Sequence, residues 1–281
     1  MKGDIVMSRS RTIAACSPLL VLLLLAARAA AADEPAPAGV EDLSREAANP
    51  IANVVSLPFQ NNAEYGLGPY DRTANVLNFQ PVVPLADGRV ITRTIVPFVW
   101  RPDLTAETGT ISSGLGDIVF TAFYAPKPGS VIWGVGPVLE FPTGGELRGS
   151  RKWSAGLSGV ALAQPGNWTF GLLANNVWSV AGSADAPDVN KGVLQYFIVY
   201  HLDGGWYLNS APIISVDWEA DPGQRWRVPV GGGGGKVMNW GRLPVNLQTQ
   251  VYTYVEVPAG GPKWQWRVQL QFFLPMPGAK Q

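Results

Sequence analysis

The sequence predicts an all-β protein: a transmembrane, antiparallel, up-and-down β-barrel of about twelve strands, preceded by a short N-terminal helix or linker. Three observations lead to this fold class. From Val54 onward, apolar and polar residues alternate in runs bounded by Gly, Pro, Asn or Asp, which is the period of a strand with two unlike faces. The connections between the runs alternate between long and tight. An export signal precedes all of them.

Residues 1–32 have the features of a cleaved secretory signal peptide. A basic start and a short apolar run lead to Ala30-Ala31-Ala32, which offers an A-x-A cleavage site. The apolar run is too short to cross a bilayer as a helix. The only cysteine, Cys16, leaves with this segment, so the mature chain has no disulfide to stabilise it. We expect export to the outer membrane of a Gram-negative bacterium.

Residues 33–53 are rich in Ala, Pro and charge, and contain one short helical pattern, "VEDLSREAANPIA". Leu43, Ala47 and Ile51 would share one face at helical spacing, although Pro50 limits the length of the helix. Two interpretations remain open: a mobile linker, or a helix that docks elsewhere and could enter the barrel as a plug.

Residues 54–274 are the predicted barrel, and a C-terminal tail follows at 275–281. Connections such as "RPDLTAETGTISS" and "PTGGELRGSR" are long, whereas "ADG" and "DGG" are tight turns. Outer-membrane barrels show this alternation because short turns lie on the periplasmic side and longer loops lie outside. An even number of strands returns the last strand beside the first. That closure removes the sheet edges, whose backbone groups would lack hydrogen-bond partners in a bilayer.

The alternation inside each strand defines two faces, and the last strand, "WQWRVQLQFFL", shows it clearly. In a soluble sheet the apolar face would point into a core and the polar face into water. Two features predict the inverted arrangement. Tryptophans occur at strand ends, as in the interfacial girdles of membrane barrels. The polar faces are rich in Gln and Asn and poor in Lys, unlike an ordinary solvated surface.

The same parity assigns individual residues to each side of the wall. Charges of both signs fall on the inner side, where they can pair across a narrow interior and where an unpaired charge would be costly. This favours either a lumen closed by its own side chains or a narrow, weakly selective path. The residues expected to face lipid are Trp264, Trp266, Val268, Leu270 and Phe272. The residues expected to line the lumen are Arg93, Asp117, Glu140, Lys191, Gln195, Asp217, Arg227, Gln248, Gln250, Glu256, Arg267, Gln269 and Gln271.

Composition argues against several functions. Charged residues make up 15 % of the chain, with 21 basic and 21 acidic residues, so the electrostatic footprint of a nucleic-acid binder is missing. One histidine and no mature cysteine cannot provide the usual zinc ligands, and Asp185, Asp188 and Asn190 suit a turn better than a calcium loop. We expect no metal, no cofactor and no nucleic acid. The expected partners are outer-membrane lipids, the barrel-assembly machinery and a small solute of unknown identity.

Two segments invite a more specific chemical interpretation. His201 is the only histidine and would be the base of any Ser-His-acid arrangement, but no serine partner is evident near it in sequence. The run "VGGGGGKV", residues 230–237, lacks the Gly and the Ser or Thr that a phosphate-binding loop needs at Val230 and Val237. It is better explained as a glycine-rich barrel strand, bent or packed closely against something in the lumen. No catalytic residue is predicted.

Several motifs, in one order from Ser56 to Leu274, carry a resemblance to a known family. They include "SLPFQNNAEYGLGP", "GLGDIVFTAFYAP", "WGVGPVLEFPT", "GLLANNVWSVAG" and "DVNKGVLQYFIVYHLDGGWYL". The chain resembles the outer-membrane family labelled MetA-pathway of phenol degradation, whose members are also filed as transporter or mislabelled neuromedin U. The resemblance implies an outer-membrane barrel that helps small, often hydrophobic or aromatic, compounds across, and it implies no catalytic residue. One departure is the C-terminal "PMPGAKQ", because many such barrels end on an aromatic residue.

The predicted function is therefore that of an outer-membrane channel or transporter-like barrel for passive passage of small, hydrophobic or aromatic molecules. The chain is not expected to be an enzyme. Two alternatives stay open: an outer-membrane barrel that hydrolyses lipid with His201, and a soluble periplasmic β-protein that binds a ligand.

Overall fold

The structure is a computed structural model, and it describes residues 39–126 and 129–274. The predicted signal peptide, residues 1–32, and the predicted tail, residues 275–281, lie outside the described residues. Within the two described ranges, no helix is both long enough and apolar enough to cross a bilayer.

Strands make up most of the described chain. Two short helices accompany them: α1 (Val40–Ala47) and α2 (Gly145–Arg148). The strands are β1 (Val55–Leu67), β2 (Arg72–Phe79), β3 (Val82–Leu85), β4 (Val90–Pro102), β5 (Ile111–Leu115), β6 (Ile118–Tyr124), β7 (Ile132–Phe141), β8 (Lys152–Ala163), β9 (Trp168–Gly182), β10 (Asn190–His201), β11 (Trp206–Ser210), β12 (Ile213–Asp217), β13 (Trp226–Trp240), β14 (Leu243–Glu256) and β15 (Trp264–Leu274).

The strands form one closed antiparallel sheet. Apart from three interruptions, each strand pairs with its neighbours in the chain. The last strand, β15, returns to pair with β1 from Val55↔Leu274 to Tyr65↔Trp264. Three strands of the barrel are each interrupted once, into β2 and β3, β5 and β6, and β11 and β12. Counted with these interruptions joined, the wall has twelve strands. The predicted fold class, an antiparallel up-and-down barrel of about twelve strands, is confirmed.

Proline accounts for two of the interruptions, because it has no backbone N–H to donate to a neighbouring strand. Pro81 lies between β2 and β3, and Pro212 lies between β11 and β12. At the second break, the carbonyl oxygen of Ala211 accepts hydrogen bonds from Nε2 of Gln195 at 3.1 Å and from Nη1 of Arg267 at 2.9 Å. The wall is therefore held by side chains where its backbone ladder stops.

The two ends of the barrel carry different connections. Four tight connections, residues 86–89, 164–167, 202–205 and 241–242, lie at one end, which we call the short-turn end. The longest connections, residues 103–110, 142–151, 183–189, 218–225 and 257–263, lie at the other, which we call the long-loop end. The alternation of loop lengths in the sequence thus corresponds to the two ends of the barrel.

The glycine run lies in the middle of β13. A Cβ at Gly233 would overlap the carbonyl oxygen of Thr249 on β14, and one at Gly232 would lie 2.6 Å from the carbonyl oxygen of Asn209 on β11. The glycines therefore let both neighbouring strands approach β13 closely. Lys236, at the end of the run, points to the outside, where its Nζ lies 4.8 Å from the centre of the Trp206 ring. A strand packed on both sides leaves no loop to hold a phosphate.

Candidate functional site

Part of the interior of the barrel is lined by polar side chains, and this polar part forms the candidate site. Arg267 and Gln250 are 3 % and 1 % exposed, whereas Leu157 and Val180 on the outer surface are 65 % and 66 % exposed. In β15, three of the four buried positions are polar, and the buried residues are Gln265, Arg267, Gln271 and Phe273. Buried amides and arginines inside and exposed aliphatic residues outside differ from the usual arrangement of a soluble protein, although apolar clusters also lie in the interior.

A cavity of about 130 Å³ lies within the barrel, between the wall and the end of α1 with the residues that follow it. Amide side chains dominate its polar lining, and its charged residues are Glu46, Arg93 and Arg267. Apolar side chains, Phe197 and Phe273 among them, complete the lining. The cavity can therefore contact both a charged group and a small apolar body.

Arg267 is placed by neutral acceptors. Its Nε donates to Oδ1 of Asn62 at 2.9 Å, and its Nη1 donates to the Ala211 carbonyl at 2.9 Å and to Oε1 of Gln250 at 3.3 Å. The guanidinium carbon also lies 4.9 Å from the centre of the Tyr252 ring, a cation–π contact. These groups fix the side chain, but none of them carries a negative charge.

A chain of amides connects Arg93 to Arg267 along the inner wall. Nη2 of Arg93 donates to Oε1 of Gln80. Nε2 of Gln80 then donates to Oε1 of Gln60 at 3.2 Å, and Nε2 of Gln60 donates to Oδ1 of Asn62, the acceptor of Arg267, at 3.3 Å. Each amide oxygen in the chain is thus used by a donor of the protein. The carboxamides are ordered by one another and by the two cations at the ends.

A second polar cluster lies on β11, β14 and β15. The Tyr207 hydroxyl lies 2.7 Å from Oδ1 of Asn246 and 3.1 Å from Oε1 of Gln248. Nδ2 of Asn246 donates to Oε1 of Gln271 at 3.2 Å, and Nε2 of Gln269 donates to the same oxygen at 3.3 Å. This cluster lines the wall beside the cavity with amides whose orientations are fixed.

Toward the long-loop end, the inner cations Arg227 and Lys191 each lie beside a carboxylate. Arg227 Nη2 lies 2.5 Å from Oε1 of Glu64, and Lys191 Nζ lies 4.0 Å from Oδ2 of Asp217. Asp117 accepts hydrogen bonds from the backbone N–H of Gly144 at 2.9 Å and from that of Ser150 at 2.6 Å, which fastens the 142–151 loop to the wall. Positive charge is therefore balanced in this half of the lumen.

The N-terminal segment, residues 39–54, lies inside the barrel at the short-turn end. Val40 on α1 is buried against one residue from each of four strands, β10, β11, β13 and β15. These residues are Val199, Tyr207, Val237 and Phe273. Farther along the segment, Ile51 joins a second buried cluster that contains Ile91, Phe123 and Phe197. The segment is attached to the wall through apolar contacts at both of its ends.

Polar contacts also fix the segment. Nη2 of Arg45 donates to the carbonyl of Gly166 at 2.6 Å, and Nε2 of Gln164 donates to the carbonyl of Arg45 at 3.1 Å. Both wall residues lie in one tight connection at the short-turn end.

His201 lies where the segment meets the wall. Its Nδ1 is 2.6 Å from the Ser44 hydroxyl, and its Nε2 is 2.9 Å from the Thr169 hydroxyl. In a neutral imidazole one nitrogen donates and the other accepts, and a hydroxyl can do either. Both ring nitrogens are thus occupied, and Ser44 is only 2 % exposed. The geometry makes His201 a link between the segment and the barrel.

Glu46 is the acidic residue of the cavity. Burial, and secondarily the nearby carboxylate of Asp42, raise the pKa of Glu46 above its ordinary value. Its Oε2 is buried and has no hydrogen-bond partner in the described part of the chain. A carboxyl group in this setting is held closer to its neutral form than a solvated glutamate.

The predicted lumen residues fall into three groups in the structure. Glu256 is exposed at the last residue of β14, past a bulge in its pairing with β13. Five others lie in the half near the long loops: Asp117, Glu140, Lys191, Asp217 and Arg227. Seven line the cavity: Arg93, Gln195, Gln248, Gln250, Arg267, Gln269 and Gln271.

Sequence reasoning missed several inner residues, including Gln60, Asn62 and Gln80. Gln60 and Asn62 have the inner parity of "SLPFQNNAEYG", but Asn61 between them places a polar residue on the outer face too and hides the alternation. Asn61 is satisfied there by a reciprocal amide pair with Asn75 at 3.0 Å. Gln80 precedes Pro81, where the period of two is broken.

The residues predicted to face lipid lie on the outer side of β15, and their side chains are exposed or partly exposed. Trp264 is 41 % exposed and stacks on Tyr65 with ring centres 4.1 Å apart. Trp266, Val268, Leu270 and Phe272 are each partly exposed. Nε1 of Trp266 donates to the Thr249 hydroxyl at 2.8 Å.

Tryptophans on the outer surface occur in two groups along the barrel axis. Trp100, Trp153, Trp178, Trp218, Trp226 and Trp264 lie toward the long-loop end. Trp133, Trp168, Trp206 and Trp240 lie toward the short-turn end. Aromatic side chains concentrate at these two levels in membrane barrels, because an amphipathic ring prefers the bilayer interface.

Asp185 and Asp188, two acidic residues of the 183–189 loop, each interact with a basic side chain. Asp185 accepts from Nη1 of Arg151 at 2.8 Å, and Asp188 lies 3.2 Å from Nζ of Lys152. In the portions of the chain that the structure describes, no three His, Cys, Asp or Glu residues form a group that could hold a metal ion.

Comparison with solved structures finds outer-membrane barrels. The NanC porin matches 79 % of this chain and 100 % of its own, at 8 % identity and a TM-score of 0.51. An outer membrane channel from Pseudomonas putida F1 matches 79 % of this chain and 94 % of its own, at 15 % identity and a TM-score of 0.53. Outer membrane phospholipase A from Escherichia coli matches 78 % and 92 %, at 13 % identity and a TM-score of 0.39, a likeness too weak to argue from.

No protein-family model and no curated protein sequence matches the chain. The two structural likenesses above a TM-score of 0.5 concern the fold, and both extend over nearly the whole of the other chain. The molecule is a closed antiparallel barrel of twelve strands, and this is the fold of outer-membrane channels.

Proposed function

We propose that this protein is an outer-membrane channel through which small solutes diffuse passively. The observation that carries the proposal is the inverted distribution of polarity: buried amides and arginines inside, exposed aliphatic and aromatic side chains outside. A polar lining replaces part of the hydration shell of a passing solute, and an apolar exterior is stable only against lipid.

The exterior supports an outer-membrane location. Leu157, Val180, Val255 and other large apolar residues are more than half exposed on the outer wall. A soluble monomer rarely exposes so continuous an apolar surface. We therefore propose the lipid-facing and lumen-lining roles for the residues assigned by parity, except Glu256, which is exposed past the bulge at the end of β14. The soluble periplasmic protein is the second candidate. Export by a cleaved signal peptide and insertion by the barrel-assembly machinery are parts of the same proposal.

The sequence motifs support membership of the family labelled MetA-pathway of phenol degradation, and the likeness to the Pseudomonas putida channel is consistent with that proposal. Passage of small, hydrophobic or aromatic compounds is what that resemblance implies. The apolar part of the cavity lining, with Phe197 and Phe273, fits such a solute.

The N-terminal segment is the proposed plug of this channel. It fills the short-turn end of the lumen and borders the cavity. Because it is held by a few buried contacts, its release would widen the path without disturbing the wall. The channel would then have a narrow state and a wider state.

The alternative of a lipid hydrolase has one specific observation in its favour, the short Ser44–His201 contact. Three features argue against it. Ser44 is buried, Nε2 of His201 faces Thr169 in place of a carboxylate, and both residues lie inside the barrel, away from the lipid-contacting surface. We therefore propose that the protein is not an enzyme.

The test is conductance in planar lipid bilayers. The mature chain and a variant lacking residues 39–53 are reconstituted separately, and barrel integrity is checked by the heat-dependent shift in gel mobility. We expect small current steps from the mature chain and larger steps from the shortened one. Current steps that never exceed background in either protein would contradict the channel. Current steps of equal size in the two proteins would contradict the plug.

A further inference from the structure

The cavity contains two arginines and one carboxyl group, so its charges do not cancel. Among the described residues, neither Arg93 nor Arg267 forms an ion pair with a carboxylate. Arg227 and Lys191, which lie toward the long-loop end of the lumen, do form such pairs. Burial raises the pKa of Glu46, the acidic residue of the lining, above its ordinary value. The cavity therefore carries an excess of positive charge.

Burial makes this excess costly. Arg267 is 3 % exposed, and an ionised group removed from water loses hydration that neutral acceptors replace only in part. The protein holds the charge with amide and carbonyl oxygens and with an aromatic face. An anion entering the cavity would supply the missing counter-charge, with little screening by water in so narrow a space.

The lining also contains an amide donor that could bind an anion. In the chain from Arg93 to Asn62, the amide oxygens are already occupied by donors of the protein. Gln250 is 1 % exposed, and its Oε1 accepts from Arg267, whereas its Nε2 donor is buried and has no partner in the described ranges. Nε2 of Gln250 is thus a free donor beside the two guanidinium groups, while Oδ1 of Asn209 and Oε2 of Glu46 are buried acceptors of the same lining with no partner in the described ranges.

We propose, on the basis of the channel function inferred above, that the cavity is a binding site for a small organic monocarboxylate. The carboxylate would accept from Arg93, Arg267 and Nε2 of Gln250, and the apolar body would lie against Phe197 and Phe273. A planar guanidinium suits the two oxygens of a carboxylate. The cavity, about 130 Å³, is smaller than sites for drug-sized ligands, which favours a ligand with a single ring or short chain.

The experiment compares benzoate with benzamide, a neutral molecule of nearly the same shape, by calorimetric titration of the folded full chain in detergent. The variants are Arg93→Gln, Arg267→Gln and Arg267→Lys, since Lys keeps the charge if the Gln variant folds poorly. The control is the double variant Glu64→Gln with Arg227→Gln, which removes a balanced pair from the same lumen.

We expect benzoate to bind, benzamide to bind at least about tenfold more weakly, and each Arg→Gln change to weaken benzoate by about tenfold or more. Arg267→Lys keeps the charge but not the planar pair of donors, so its affinity for benzoate should lie between those of the wild type and Arg267→Gln. The control pair should stay near the wild type. Equal binding of benzoate and benzamide, or unchanged benzoate binding in both Arg→Gln variants, would overturn the site.

Conductance of the same preparations separates this proposal from the channel itself. Under a salt gradient, the reversal potential should indicate preference for anions in the wild type and a shift toward neutrality in Arg93→Gln. If current flows but benzoate does not bind and the current shows no preference for anions, the carboxylate site is overturned and the channel function still holds. Benzoate binding without any current would support the site and contradict the channel.

Discussion

The Ser44 hydroxyl lies 2.6 Å from Nδ1 of His201, a residue 157 positions later in the chain. The contact joins the first helix of the described chain to the end of β10, and both residues are buried. Because Thr169 occupies the other ring nitrogen, one imidazole connects the N-terminal segment to two strands. This is the most specific of the contacts that hold the segment inside the barrel.

Replacement of His201 by Ala should release the N-terminal segment. The Ser44 and Thr169 hydroxyls would lose a buried partner, and each such loss costs about 1–3 kcal/mol. We expect more frequent opening to the larger current step in planar bilayers, while the barrel keeps its heat-dependent gel shift. Ser44→Ala, which removes only one contact, should have a smaller effect. Identical opening in wild type and His201→Ala would show that His201 does not hold the segment.

Docking of the segment should depend on pH through Glu46. The pKa of Glu46 is raised in the docked state, so the docked state binds a proton more tightly than the undocked state does. Docking is therefore most stable at a pH below the ordinary pKa of Glu46, and it weakens as the pH rises through the raised pKa. Protease cleavage within residues 39–54 should therefore be slower in mild acid than at neutral pH.

Glu46→Gln should remove the Glu46 contribution to this pH dependence. The variant should resist cleavage at neutral pH as well as the wild type does in acid, because Gln is neutral throughout. The difference between the cleavage rates of the two proteins, measured at each pH, gives the contribution of Glu46 separately from that of other titrating groups. A variant with the same pH profile as the wild type would contradict the role of Glu46.

Leu270→Arg should hinder assembly in the membrane. Leu270 has the outer parity of β15, and a charge placed near the middle of the bilayer costs about 2–4 kcal/mol. We expect less folded protein in the outer-membrane fraction, measured by fractionation and gel shift. Leu270→Ala controls for loss of the side chain, and Gln269→Ala on the inner parity should be mild. Equal losses from Leu270→Arg and Gln269→Ala would contradict the assignment of faces.

Gly233→Ala should weaken the wall of the barrel. A Cβ at this position overlaps the Thr249 carbonyl of the paired strand, and overpacking of this kind costs about 1–3 kcal/mol. The expected result is a lower midpoint of urea unfolding in detergent. Gly159→Ala on β8 is the matched control, because a Cβ there meets nothing within 4 Å. Equal midpoints in the two variants would show that β13 can shift to make room.

The fold could be predicted because its signals are local. The alternation in "WQWRVQLQFFL" and the tight turns are set by a few neighbouring residues, and an even number of strands then implies closure. The cavity could not be predicted in the same way. The pairing of Arg93 with Gln80, the meeting of Arg267 with Ala211 across a broken strand, and the docking of α1 depend on how distant strands curve around a common axis.

Parity also fails where the backbone leaves its regular period. Gln80 is followed by Pro81, and the pairing of β13 with β14 shifts at Val228, which leaves Glu256 exposed at the rim. One residue inserted into a strand reverses the sides of all that follow. A prediction of inner residues from alternation is therefore reliable only between such breaks.

The N-terminal segment runs directly into β1, and β1 forms the seam of the barrel with β15. A plug attached in this way cannot be lost by dilution, because its local concentration is set by the few residues that tether it and not by the amount of protein. The fraction of open channels would then report the free energy of one intramolecular docking step. In the proposed channel, a solute, a proton or a mutation would act on permeation to the extent that it changes that free energy.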